Sequence, residues 1–205
     1  MTNNIETSAS RASASSLPSA SAAPARATTW DIDGSHTNAG FKVRHLMVSH
    51  VRGHLGPVTG TVVIDEQDLA RSRVDVSIDA RGIDTRDAKR DEHLRSADFF
   101  DVATHPTVTF RSTRIEAPSG LGGELSVVGD LTIRGISRPV TLDVEGLAPA
   151  IKDPWGNARR GISARARISR KEWGLQWNMA IDAGGVVVGD EVTIEIESEI
   201  VARPV

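Results

Sequence analysis

The chain of 205 residues contains no cysteine and no tyrosine, and aromatic residues make up only 4% of it. Without cysteine there is no disulfide, no thiolate metal ligand and no thiol nucleophile, and the redox compartment is left open. No apolar run approaches the roughly 18 residues of a membrane-spanning helix. A net charge of −3 and a pI near 6.1 lack the basic excess that a phosphate backbone demands, so nucleic acid is not an expected partner. Also missing are a Gly-x-Ser-x-Gly elbow, a His-Glu-x-x-His pair and the Gly-Lys-Ser/Thr close of a phosphate loop. The glycine-rich stretch from Ala183 to Asp190 therefore reads as a hairpin turn feeding a last strand. No internal repeat is visible, which argues against a propeller or solenoid.

What is present divides the chain in two. Between Ser8 and Ala27, 7 Ser and 8 Ala occupy 15 of 20 positions, with Leu17 the only large apolar side chain. Such a composition buries too little to offset the entropy of ordering, so residues 1–28 read as a disordered tail. The tail has no continuous apolar stretch of the kind a secretory peptide carries, which leads to an expected cytoplasmic domain over residues 29–205.

From Thr29 onward the hydrophobic period is two. Val74, Val76, Ile78 and Ala80 share one face, against Arg73, Asp75, Ser77, Asp79 and Arg81 on the other. Val140 to Glu145, Ile162 to Ser169 and Val192 to Ile200 alternate in the same way. Each is the pattern of an antiparallel strand with one wet face. Weaker strands are predicted over Trp30–Ile32, Asn38–Leu46, Val51–Asp65, Thr107–Ile115 and Glu124–Ile133. Turn chemistry separates them at Asp65–Asp68, Pro118–Gly120, Gly135–Pro139, Asp153–Asn157 and Ala183–Gly185. Eight or nine strands with short connections imply a closed barrel or a sandwich.

One stretch breaks the alternation. Residues 86–97 carry charges at helical spacing, Asp87 before Arg90 and Asp91 before Arg95, with Asp84 or Thr85 as the expected N-cap. Phe99 and Phe100 follow, and His105-Pro106 returns the chain to extended backbone. A short charged helix with an aromatic foot, set between two strands, reads as the plug of a barrel end.

The landmarks along the chain are specific in their order. Trp30-Asp31-Ile32-Asp33, His36 and Phe41-x-Val43-x-His45 come first. Ile83-Asp84-Thr85 through Arg90-Asp91-x-His93-Leu94-Arg95-Ser96-x-Asp98-Phe99-Phe100-Asp101 and Pro106-x-Val108-x-Phe110 follow. Gly129-Asp130-Leu131-Thr132-Ile133-Arg134-Gly135, Arg138-Pro139-Val140 and Ser169-Arg170-x-x-Trp173-Gly174-Leu175 complete the set. In these features residues 29–203 resemble the YceI-like proteins. The resemblance implies an all-β fold, an antiparallel lipocalin-like closed barrel of about eight strands, often dimeric, holding a polyisoprenoid or similar lipid in an apolar pore. The Gly-x-Trp signature of lipocalins themselves is absent, since Thr28-Thr29 precede Trp30.

The residue chemistry accommodates that expectation. An up-and-down barrel of about eight strands has room for one small ligand. A mostly aliphatic interior suits a featureless hydrocarbon guest, such as an isoprenoid quinone or a polyprenyl phosphate. Lining candidates are Phe41, Val43, Val76, Ile78, Phe99, Phe100, Phe110, Leu131, Ile133 and Trp173. Candidates for a phosphate or quinone head group are Arg44, His45, Arg90, His93 and Arg95, or these side chains pair with Asp87, Asp91, Asp98 and Asp101 to hold the helix. His50 and His54 would share a strand face, where a metal site needs a third ligand from elsewhere; solvent-facing or core-bonded histidines are the stronger reading, and no metal and no cofactor are expected. The leading expectation is a non-enzymatic lipid carrier, with a homodimer as its assembly. The alternatives are an enzyme using His45 or His93 as acid or base on a hydrophobic substrate, and a stress-related interaction module with a filled core.

Overall fold

The computed structural model describes residues 27–118, 120, 122–145, 147, 149–180 and 184–204. The Ser/Ala tail lies outside the described residues up to position 26, and Thr28 already belongs to the first strand. The expected turns at Pro118–Gly120 and Ala183–Gly185 each contain a residue outside the described set.

The strands are β1 (Thr28–His45), β2 (Ser49–Leu55), β3 (Val58–Ile64), β4 (Arg73–Asp79), β5 (Thr107–Glu116), β6 (Leu125–Ile133), β7 (Ile136–Glu145), β8 (Ile151–Lys152), β9 (Ala158–Ser169) and β10 (Val188–Ala202). Among the described residues there is one α-helix, α1 (Ala88–Arg95), between β4 and β5. Eight strands close into an antiparallel ring in the order β1, β3, β4, β5, β6, β7, β9, β10, with β10 returning to β1. β2 and β8 sit outside the ring, on β1 and β9. Closure leaves few strand edges open, and alternation then decides what faces the interior. In β6, Leu125, Val127, Leu131 and Ile133 are buried while Asp130 is exposed.

Two sequence-predicted strands, 30–32 and 38–46, are one strand: β1 runs through, with a register shift against β10 between Asp33 and Asn38. Its first residues pair with β3 and its last with β2. The predicted strand 51–65 is the reverse case, divided at Gly56-Pro57, where proline has no N–H to donate. The turn expected at Gly135–Pro139 is tighter. Arg134 (φ 51°) and Gly135 (φ 72°) alone make the hairpin, and Pro139 lies inside β7 opposite Asp130. β7 tolerates it because β9 pairs with β7 only through Asp143–Glu145, leaving an open edge beside Pro139. A 3-10 turn, Arg170–Trp173, stands at that opening, with Trp173 fully buried and its Nε1 donating to the Leu131 carbonyl at 3.0 Å.

The two barrel ends differ. Among the described residues, one carries the connections that follow β3, β5 and β7, with the short strand β8 in the last of them. The other carries α1, the β1–β2 hairpin and, among the described residues, 170–180 and 184–187. Among the described residues no helix is long and apolar enough to cross a membrane.

Candidate functional site

Inside the ring lies a cavity of about 280 Å³, near the lower end of the range for small-molecule sites. Its wall is almost wholly aliphatic and aromatic, with Thr37, Ser72, Ser198 and Arg170 its polar side chains. Inward positions of β4 (Val76, Ile78), β5 (Phe110), β6 (Leu131, Ile133) and β1 (Phe41, Val43) line it, as the alternation requires. Phe99 and Phe100 also line it, from the loop after α1. Of the ten predicted lining residues only Trp173 is not at the cavity surface; as the last residue of the 3-10 turn it is packed into the core.

The sequence reasoning missed the opposite wall, which β9 and β10 provide through Ile162, Ala164, Ile194 and Ile196. The signal was present, since both strands show the same alternation. Leu55 and Leu94 were missed for lack of one: Leu55 belongs to an outlying strand and Leu94 is the inward residue of a charged helix.

The end plug is fixed by polar contacts. The N-cap of α1 is Asp87, whose carboxylate accepts from the Lys89 and Arg90 amides at 3.1 Å, and not Asp84 or Thr85. Thr85 is used elsewhere: its amide (2.9 Å) and hydroxyl both donate to the buried carboxylate of Asp91. Asp91 thus pairs with Thr85, and not with Arg95 one turn later. His54 and Asp84 exchange backbone bonds at 3.0 Å, which anchors this segment to β2. After α1, the amides of Phe99 and Phe100 donate to the carbonyls of Ser96 and Leu94, and this turn aims both rings at the cavity.

None of the five head-group candidates lines the cavity. Arg90 donates to the Thr85 hydroxyl (2.7 Å) and carbonyl (2.8 Å), and Arg95 to the Arg81 and Ile83 carbonyls (both 2.8 Å). His93 stands edge-on to Phe99 and Trp177, at 5.1 and 4.7 Å between ring centres, with Nε2 2.8 Å from the Asp98 carboxylate. His45 is half-buried at the end of β1 and Arg44 is exposed beside it. Among the described residues the one cation in the cavity wall is Arg170, a landmark in sequence whose burial no local pattern announces. It donates to the Gly189, Leu175, Trp177 and Val188 carbonyls and pairs with Asp190 at 3.5 Å; burial lowers its pKa. Those contacts tie the Arg170–Trp177 segment to the start of β10.

The histidine pair considered for metal, His50 and His54, is exposed on the outer face of β2. Among the described residues the one cluster with ligand spacing is Asp33, His36 and Glu199. A guanidinium already occupies it: Arg159 Nη1 is 2.7 Å from Asp33 and 2.9 Å from Glu199. Hydrogen bonds from Ser35, Arg159 and His36 hold the Asp33 carboxyl well below the usual carboxylate range.

Comparison with known proteins agrees with this architecture. Residues 30–200 match the signature described as YceI-like domain. Protein YceI of Escherichia coli O157:H7 is 37% identical over 166 residues, 81% of this chain and 85% of that protein. A UPF0312 protein of Pectobacterium atrosepticum is 35% identical over 183 residues, 89% of this chain and 91% of that protein. The Campylobacter jejuni YCEI crystal structure superposes with a TM-score of 0.66 at 28% identity, covering 84% of this chain and 96% of that one. A polyisoprenoid binding domain from Saccharophagus degradans shares the fold, with a TM-score of 0.61 at 14% identity over 87% of this chain and all of that one.

Proposed function

We propose, from the premise that this chain belongs to the YceI-like family, that its barrel binds a polyisoprenoid or related lipid and holds or carries it without chemical change. The observation that carries this reading is the apolar cavity enclosed by a complete strand ring. An aqueous or highly polar guest would leave its hydrogen-bonding groups unpaired there, at a cost of about 1–3 kcal/mol each. A prenyl chain has none to lose, and each methylene removed from water contributes about 0.8 kcal/mol. The description of the Saccharophagus degradans domain supports the same ligand class.

The head group then stays at the end built from α1 and the β1–β2 hairpin, with His93 and His45 as donors of choice, because Arg90 and Arg95 are committed to backbone carbonyls and Arg44 is on the outer face of β1. An isoprenoid quinone and a polyprenyl phosphate both fit this division of tail and head. Homodimeric assembly and a cytoplasmic location complete the reading, the first from the family resemblance and the second from the Ser/Ala composition of the first 28 residues. The experiment is co-elution of the delipidated protein with undecaprenyl phosphate and with an isoprenoid quinone. One of them is expected to co-elute near one per barrel. Failure of both, with a straight-chain fatty acid retained instead, would contradict the ligand class.

A further inference from the structure

The outer face of the β1–β2 hairpin has no part in the cavity. From Gly34 to Ile64 the chain has no Asp or Glu at all, while Lys42, Arg44 and Arg52 fall within it, in a protein whose net charge is −3. Cross-strand register sets Lys42 directly opposite Arg52 and Arg44 opposite His50, an arrangement in which like charges repel. Among the described residues the guanidinium groups of Arg44 and Arg52 have no hydrogen-bond or ion-pair partner, and the Lys42 ammonium reaches only Glu195, at 3.8 Å. Desolvation, and then the charges of Arg44, Lys42 and Arg52, push His50 below the usual imidazole value.

The tip of the same hairpin is Leu46-Met47-Val48, exposed to 37%, 50% and 80%. Leu46 (φ 49°) and Met47 (φ 61°) hold left-handed backbone, where Gly or Asn would be at ease. Neither the turn nor water therefore favours these side chains. Backbone bonds from Leu46 to Val187 and from Val187 to Met179 (58% exposed) place a further apolar side chain near them. The hairpin's inner face, meanwhile, gives Phe41, Val43 and Leu55 to the cavity.

We propose that this hairpin is a membrane-docking element, its cationic outer face taking anionic phospholipid head groups and its apolar tip entering the headgroup layer. The other exposed apolar turn, with Trp155, lies at the opposite barrel end beside Asp153, and its arginine, Arg159, is already held by three carboxylates. Charge complementarity thus selects the β1–β2 tip. Docked this way, the protein brings the helix end of the cavity to the bilayer from which a prenyl lipid would be drawn.

The test is flotation of the full chain with vesicles of phosphatidylcholine alone and with about one third phosphatidylglycerol, at low and high salt. Binding is expected only to the anionic vesicles and is expected to fade with salt. Each cation near such a surface is worth roughly fivefold, so Arg44→Thr with Arg52→Thr should lose about 25-fold in partition. Val48→Asp, at a position too exposed to affect folding, should lose at least as much, while Trp155→Ser should bind like the parent. Wild-type protein that stays off anionic vesicles at low salt overturns the proposal. So does a Val48→Asp variant that splits a dimer into monomers yet still binds vesicles, because the tip then belongs to a second copy. Docking is read without any cargo, so its failure is separable from failure of the lipid-binding reading.

Discussion

At the scale of the residue, Phe110 shows how the barrel sets its free volume. Its ring lies over Gly129 on the neighbouring strand, where an added Cβ would sit 2.5 Å from the ring Cζ, 2.8 Å from Cε2 and 2.5 Å from the Arg111 carbonyl oxygen. Gly129→Val should drive that ring inward or off its rotamer, and Phe110→Trp should fill the cavity from the same wall. Both should lower retention of a bound prenyl chain severalfold, and Phe110→Trp should do so while circular dichroism still reports the barrel, whereas Gly129→Val also presses on the Arg111 carbonyl and should lower Tm. Unchanged retention in both would mean that the chain lies elsewhere. A second residue-scale prediction concerns acid. The hydrogen bonds to Asp33, and Arg159 first among those to Asp153, keep both carboxyls well below their ordinary value, near 3.8. The unfolded chain therefore takes up protons on these groups before the folded chain does. Their stabilisation is present in full above about pH 4, declines as the pH falls through that value, and is lost only below the depressed folded pKa. Arg159→Gln should flatten the fall of Tm between about pH 5 and pH 2, which thermal melts across that range would show.

At the scale of the element, α1 is held by its neighbours and not by its own propensity. It is eight residues long, too short to persist alone, and its buried Asp91 binds a threonine outside the helix. Asp91→Ala leaves the Thr85 amide and hydroxyl without their acceptor, and about 1–3 kcal/mol of stability should go with it. If the plug governs access, ligand release should also quicken. Chemical denaturation and a stopped-flow release assay check the two effects separately. The position of this helix was legible from charge spacing and the aromatic foot. Its cap and its partners were not, because Asp84, Thr85 and Asp87 are all good caps in isolation. Only the tertiary fold shows that Thr85 faces Asp91 and that Arg90 and Arg95 reach carbonyls of the 81–85 segment. The same limit explains Arg170: an arginine in a polar motif looks exposed until a strand start closes over it.

At the scale of the whole molecule, the barrel was legible because a two-residue period repeated around the ring leaves one face for a core. That period also identified the lining of β1, β4, β5 and β6, since one buried face per strand fixes which side chains converge. It could not tell one strand from two at Asp33–Asn38 or at Gly56-Pro57, where register shifts and a missing N–H, not hydrophobicity, decide the boundary. The central claim is that the interior exists to be filled by a prenyl lipid. Native mass spectrometry on the freshly purified protein, followed by solvent extraction and identification of what is released, tests it most directly. One prenyl-chain molecule per barrel is expected, its head group named by the extract. A protein that is empty as purified and refuses added polyprenyl phosphates and quinones would contradict it.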